Sequence, residues 1–111
     1  MKPKNLGGIQ MKVTIELDEL DVLTRASIAR QTTDKEVLEV LSKDKWKDVR
    51  YEVAGNPNTP GVVLSILAHD KFSDVRLNVA KNPNTPRDTL SILSTDNDVF
   101  VSTYALKIIK H

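Results

Sequence analysis

Apolar residues fall in short clusters between polar loops, and the clusters return at a fixed interval. Leu64-Ser65-Ile66-Leu67 comes back as Leu90-Ser91-Ile92-Leu93, and Val49, Val53 and Ala54 come back as Val75, Val79 and Ala80, each 26 residues later. Internal repetition at such a period is the signature of a repeat architecture. Set without a gap, residues 49–74 and 75–100 are identical at fourteen of twenty-six positions, among them the whole of Asn-Pro-Asn-Thr-Pro. Residues 24–48 align in weaker form with one residue deleted at the Pro57 position, which matches Arg25 to Arg50 and Ile28-Ala29 to Val53-Ala54. Downstream, Val101 and Ala105 fall at the register of Val75 and Val79 with no further Asn-Pro-Asn-Thr-Pro. The chain therefore reads as about three units and a terminal half.

Each unit predicts two short helices. The first is expected to open at Thr59 or Thr85, a threonine N-cap with Pro60 or Pro86 at the first helical position. Asp88 would support that start, and Thr33 with Glu36 would form a capping box in the first unit. Val63, Leu64, Ile66 and Leu67 would supply its apolar face. The second helix is expected after Asp48 or Asp74 as N-cap, running Val49 to Gly55 and Val75 to Lys81. Asn56 and Asn82, each before a proline, should be extended. Its buried face is Val49, Val53 and Ala54 with their equivalents, the small alanine letting the next unit approach closely.

Helices this short are marginal alone, so stacking must hold them, as in a solenoid. Val101, Tyr104, Ala105 and Ile108 at helical spacing predict a longer capping helix at the C-terminal end. At the other end, Met11 to Leu17 alternates like a strand. Leu17, Leu20 and Leu23 fit a helix capped by Asp18, which gives a helix over about residues 19–30 with an irregular or extended lead-in. Residues 1–12 are expected to form a flexible arm and residues 13–111 a single domain, with units at 24–48, 49–74 and 75–100 and a cap at 101–111.

Val-Arg-x-x-Val-Ala-x-Asn-Pro-Asn-Thr-Pro-x-x-x-Leu-x-x-Leu-x-x-Asp resembles the leucine-rich-repeat variant, a short α-solenoid repeat related in style to HEAT repeats. The resemblance covers about residues 24–106. It implies an all-α, right-handed α-solenoid of stacked two-helix units, one helix of which is partly 3₁₀. The units are shorter than the roughly 40–47 residues of HEAT repeats proper. Some proteins with this repeat carry a cysteine-ligated iron–sulfur module, and this chain has no Cys. The resemblance implies a scaffold, not one biochemical activity.

Composition narrows the chemistry. With no Cys, disulfides, thiolate metal sites and cysteine nucleophiles are excluded. Sixteen Lys+Arg against fifteen Asp+Glu give a net charge of +1, which argues against a bulk attraction to nucleic acid or anionic membrane. No apolar run approaches the roughly 18–20 residues of a spanning helix. Met1 to Gly8 is basic, with no apolar stretch behind it to make a secretory signal. A soluble, cytoplasmic protein without a cofactor is expected.

The candidate residues weigh toward structure. Asp44, Asp70 and Asp96 recur once per unit, as do Arg50 and Arg76, and are expected to form a ladder of partly exposed pairs tying neighbouring loops, worth about 0–1 kcal/mol each. The alternative is an anion site of aligned arginines. Trp46 and Phe72 occupy equivalent loop positions, to be read as hydrophobic plugs or, alternatively, a stacking platform. His69 and His111 lack metal-ligand spacing, and Ser65 and Ser91 have no histidine to activate them. Lys43, Lys45 and Lys47 alternate with Asp44 and Asp48, as in a solvated loop. Second helices of α-solenoids line the concave face, so Tyr51, Glu52, Leu77, Asn78 and Lys81 form the candidate protein-binding face. The expected function is non-enzymatic protein–protein scaffolding. The rivals are nucleic-acid backbone binding and service as an accessory subunit of an enzyme. The solenoid ends are a route to self-association.

Overall fold

The computed structural model describes residues 12–14 and 16–110. Residues 1–11 of the expected arm, and His111, lie outside the described residues. Among the described residues seven helices follow one another from residue 22 on: α1 (Val22–Gln31), α2 (Lys35–Leu41), α3 (Lys47–Gly55), α4 (Gly61–Leu67), α5 (Ser73–Lys81), α6 (Arg87–Leu93) and α7 (Val99–Ile109). Residues 12–14 and 16–18 are also helical. The lead-in expected to be irregular or extended is therefore helical on both sides of residue 15.

α1 packs on α3, α3 on α5 and α5 on α7, forming one continuous row. The seven-residue helices α2, α4 and α6 each lie against the two row helices that flank them in sequence. The all-α architecture of stacked two-helix units is as expected, and α3, α5 and α7 begin 26 residues apart at Lys47, Ser73 and Val99.

The core runs through this stack without a break. Ala29, Leu38 and Leu41 bury in the first unit, Val49, Val53, Ala54, Val63, Leu64 and Leu67 in the second. Val75, Val79, Ala80, Leu90 and Leu93 repeat them in the third, and Val101 and Ala105 close the end. Each fully buried Val or Leu contributes roughly 1.5–3 kcal/mol. Ile66 departs from expectation: it is 66% exposed, and Ile92 shares its position and its exposure. A seven-residue helix has two turns to present, and Val63, Leu64 and Leu67 already fill the face that meets the row.

Six helix starts differ from the sequence reading. α1 is capped by Asp21, whose carboxylate accepts from the Thr24 N–H at 2.8 Å, so Asp18 is not the cap. That hydrogen bond holds the Asp21 carboxyl below its ordinary range. α2 is capped by Asp34, which takes the N–H groups of both Glu36 and Val37, leaving no capping role for Thr33. α4 and α6 begin one residue later than expected, with Pro60 and Pro86 as N-caps and no side-chain cap bond. α3 and α5 begin earlier, with Trp46 and Phe72 as N-caps, which puts Asp48 and Asp74 inside the first turn. There the carboxylates still face the positive end of the helix dipole. Asn56 and Asn82 are extended, with φ near −78° and −76°, as proline after each requires.

Candidate functional site

The repeated polar residues are the first candidates, and the structure joins them to one another. Arg50 Nε donates to Asp70 Oδ2 at 2.6 Å and Nη2 to Asp70 Oδ1 at 3.2 Å. Its remaining nitrogen, Nη1, donates to the carbonyl of Asp44 at 2.9 Å. Arg76 repeats the pattern on Asp96 and on the Asp70 carbonyl. Each loop aspartate also accepts the N–H two residues on, from Trp46, Phe72 or Asp98. Arg25 supplies a further rung, bound to Asp44 through Nε at 2.7 Å. The sequence alignment had already matched Arg25 to Arg50, and that signal could have placed it in the ladder.

The pairs are part-buried. Side-chain exposure of the three pairs lies between 6% and 14%, and every contact is a two-pronged guanidinium–carboxylate one. Burial alone would raise the Asp70 and Asp96 carboxyls. The hydrogen bonds from Arg50 and Arg76 and from the loop N–H groups outweigh it, holding both below the usual carboxylate range. The arginines are held above theirs by the same hydrogen bonds. With each guanidinium matched to a carboxylate, the row offers no free anion site.

The Asn-Pro-Asn-Thr-Pro motif is a second set of cross-unit bonds. Asn82 Nδ2 is buried and donates to the carbonyls of Ala54 and Asn56 at 2.8 and 2.9 Å, in the preceding unit. Its Oδ1 accepts the Asn84 N–H and shapes its own loop. Asn56 does the same one unit earlier, reaching Ala29 and Thr32. Asn84 Nδ2 adds bonds to Pro57 and Thr59 carbonyls. Thr59 and Thr85, fully or nearly buried, donate their hydroxyls to the Val53 and Val79 carbonyls at 2.7 and 2.6 Å. They close the end of the preceding helix and do not open the next one. Each hydroxyl adds a second donor to a carbonyl that also accepts the Asn56 or Asn82 N–H, and no side-chain cap bond opens the following helix.

Subtracting these bonds leaves the exposed row face. Tyr51 is exposed and Leu77 is half-buried against the core. Glu52 is paired with Arg30 at 3.3 Å, and Asn78 donates to the Tyr51 carbonyl at 3.1 Å. Lys81 is exposed, its ammonium 5.7 Å from the Tyr104 ring centre. Of the five residues on the candidate face, Tyr51 and Lys81 are the most open, and Glu52 and Asn78 are committed to neighbouring units.

Trp46 and Phe72 do not plug the loops; both are exposed. Lys47, Arg50 and Lys71 place cationic groups 5.3, 5.9 and 5.6 Å from the Phe72 ring centre. Asp98 stands at the same register and caps α7 with its carboxylate, accepting from the Phe100 and Val101 N–H groups. Lys43 and Lys45 are exposed beside Trp46, as expected of a solvated loop. Ser65 shares a hydroxyl–hydroxyl hydrogen bond with Thr89 at 2.7 Å, a link between α4 and α6. Among the described residues no group of three or more His, Asp or Glu side chains could hold a metal ion. None of the described helices is long and apolar enough to cross a membrane.

Residues 74–98 match the family model of the leucine rich repeat variant. The match spans α5, α6 and the loops around them, one unit of the stack, and is the family that the Asn-Pro-Asn-Thr-Pro motif resembles. No curated protein and no solved structure matches the chain.

Proposed function

We propose that this chain is a non-enzymatic, cytoplasmic repeat scaffold that docks another protein on the exposed face of the α1–α3–α5–α7 row. One observation carries the reading. Most positions identical between units lie in the core or in the loop and unit-to-unit bonds, whereas equivalent positions on the exposed face of the row differ from helix to helix. Tyr51, Leu77 and Thr103 share one register, Glu52, Asn78 and Tyr104 another, and Gly55, Lys81 and Lys107 a third. A fixed frame with a varied face is how repeat proteins build extended binding surfaces. Trp46, half-exposed at the N-terminus of α3, is an aromatic of the kind that anchors protein interfaces.

The test is affinity capture from cells of the source organism with the intact protein and with a Tyr51→Ala, Lys81→Ala variant. Nuclease treatment is run in parallel. A stoichiometric protein that survives nuclease and is lost from the variant is expected. Recovery that vanishes with nuclease would move the reading to nucleic acid. Equal capture by a variant of unchanged thermal stability would remove this face from the proposal.

A further inference from the structure

The last helix differs from the row helices it continues. Where α3 opens Lys47-Asp48 and α5 opens Ser73-Asp74, α7 opens Val99-Phe100, and these residues are 65% and 71% exposed. Where Ala54 and Ala80 sit buried under the next unit, α7 carries Leu106, which is 42% exposed. Ile108 stands at the register of Asn56 and Asn82, so the buried clamp is absent from this helix. Val99, Thr103, Leu106 and Lys110 recur at helical spacing and make one stripe opposite the buried Val101 and Ala105. Phe100 and Lys107 flank it.

We infer that this stripe is the contact surface of a two-fold homodimer, in which α7 of one copy packs antiparallel on α7 of a second copy. A further unit stacked as the internal ones are would need a small residue at position 106, and leucine holds it away. Charge distribution selects the second copy and its direction. Asp96 is held by Arg76, so the stripe has Asp98 at its N-terminal end and Lys107 and Lys110 at its C-terminal end. Antiparallel pairing centred on Thr103 sets Phe100 over Leu106 of the other copy and brings each lysine end beside an aspartate end. The two helix dipoles then oppose favourably as well. A parallel pairing would put like charges together. The surface is self-complementary, as a two-fold interface must be.

A single pair of three-turn helices falls below the ~1,200 Å² of standard interfaces, so the dimer is weak, with Kd on the order of 10–100 μM. Sedimentation equilibrium across that range should show a monomer–dimer equilibrium. Phe100→Glu and Leu106→Glu, both at exposed positions, should each weaken it at least tenfold without changing the circular dichroism. Lys107→Glu should weaken it several-fold. The chain has no Cys, so Thr103→Cys gives a clean geometric probe. Mild oxidation should cross-link it to itself, and Lys110→Cys should not. A monomer throughout, a dimer indifferent to both glutamate variants, open-ended association, or cross-linking through Lys110→Cys in preference to Thr103→Cys would overturn the assignment.

Discussion

The junction between the first and second units and the junction between the second and third are held by the same two devices, although only the later one joins two copies of Asn-Pro-Asn-Thr-Pro. At the later junction Asn82 clamps Ala54 and Asn56, and Asn84 clamps Pro57 and Thr59. At the earlier one Asn56 clamps Ala29 and Thr32. In both, the donor is the asparagine of the later unit and the acceptors are main-chain carbonyls of the earlier one. Any sequence supplies carbonyls. The first unit can therefore carry Gln31-Thr32-Thr33-Asp34 in place of the motif and still be gripped, because the motif is needed on one side only. The arginine–aspartate ladder follows the same rule: each carboxylate pair, Arg25–Asp44, Arg50–Asp70 and Arg76–Asp96, lies within one unit, and the junctions are crossed by Arg50 and Arg76 Nη1 donating to the main-chain carbonyls of Asp44 and Asp70.

Breaking a rung is expected to have the largest effect. Asp70→Ala leaves Arg50 largely buried without its carboxylate and should cost about 3 kcal/mol, within the range for severed buried pairs. Arg25→Ala, which breaks the equivalent pair inside the first unit, should cost a similar amount. Urea denaturation with an unchanged m-value reads both. The ladder also sets a pH dependence. Folded Asp70 and Asp96 titrate below their unfolded values. Their contribution is thus complete above the unfolded value of about 3.9 and is lost as pH falls through the lower folded values. Stability should be level from about pH 7 to 5 and decline below about pH 4, more shallowly in the Asp70→Ala protein. An equal decline in both proteins would place the acid sensitivity elsewhere.

The clamp should come next and should separate the two junctions. Asn82→Ala strands the buried Ala54 carbonyl and the Asn84 N–H and takes one of two donors from the Asn56 carbonyl, at a cost of about 2–3 kcal/mol, and Asn56→Ala should match it. Asn84→Ala, at a more open position, should cost about 1 kcal/mol or less. Thermal unfolding of the three variants gives the order directly. Equal losses for Asn82→Ala and Asn84→Ala would mean that burial does not decide the clamp's strength.

How much of this was legible beforehand follows from the kind of signal each feature leaves. Apolar period and internal identity are properties of a line of residues, and they delivered the two-helix units, the longer last helix and the core positions, except the exposed Ile66, Ile92, Leu23 and Ile108. The recurrence of Asp and Arg was visible too, but the extent of their burial was not, since exposure depends on how closely neighbouring units stack. The asparagines were read only through the prolines that follow them. A side chain that bonds a carbonyl 26 to 28 residues away leaves no mark at local spacing. Trp46 and Phe72 misled because a recurring aromatic usually means burial, whereas here the loop aspartate beside each one already fixes the turn.

Thr59 is where local chemistry and tertiary demand diverge most sharply. A Ser/Thr before proline at a helix start reads as an N-cap, and aspartate would serve there at least as well. The structure instead makes the Thr59 hydroxyl a buried donor to Val53, and aspartate has no proton to give. The two roles make opposite predictions. Thr59→Ala should cost about 1 kcal/mol through loss of the buried hydroxyl bond, the Val53 carbonyl keeping the Asn56 N–H. Thr59→Asp should be worse than Thr59→Ala, because it adds a buried charge facing a carbonyl oxygen. Thr85 makes the same bond to Val79 at the third unit, so Thr85→Ala and Thr85→Asp should fall in the same order. Chemical denaturation of the four variants decides it. An aspartate variant more stable than its alanine counterpart would return the threonine to the helix that follows it.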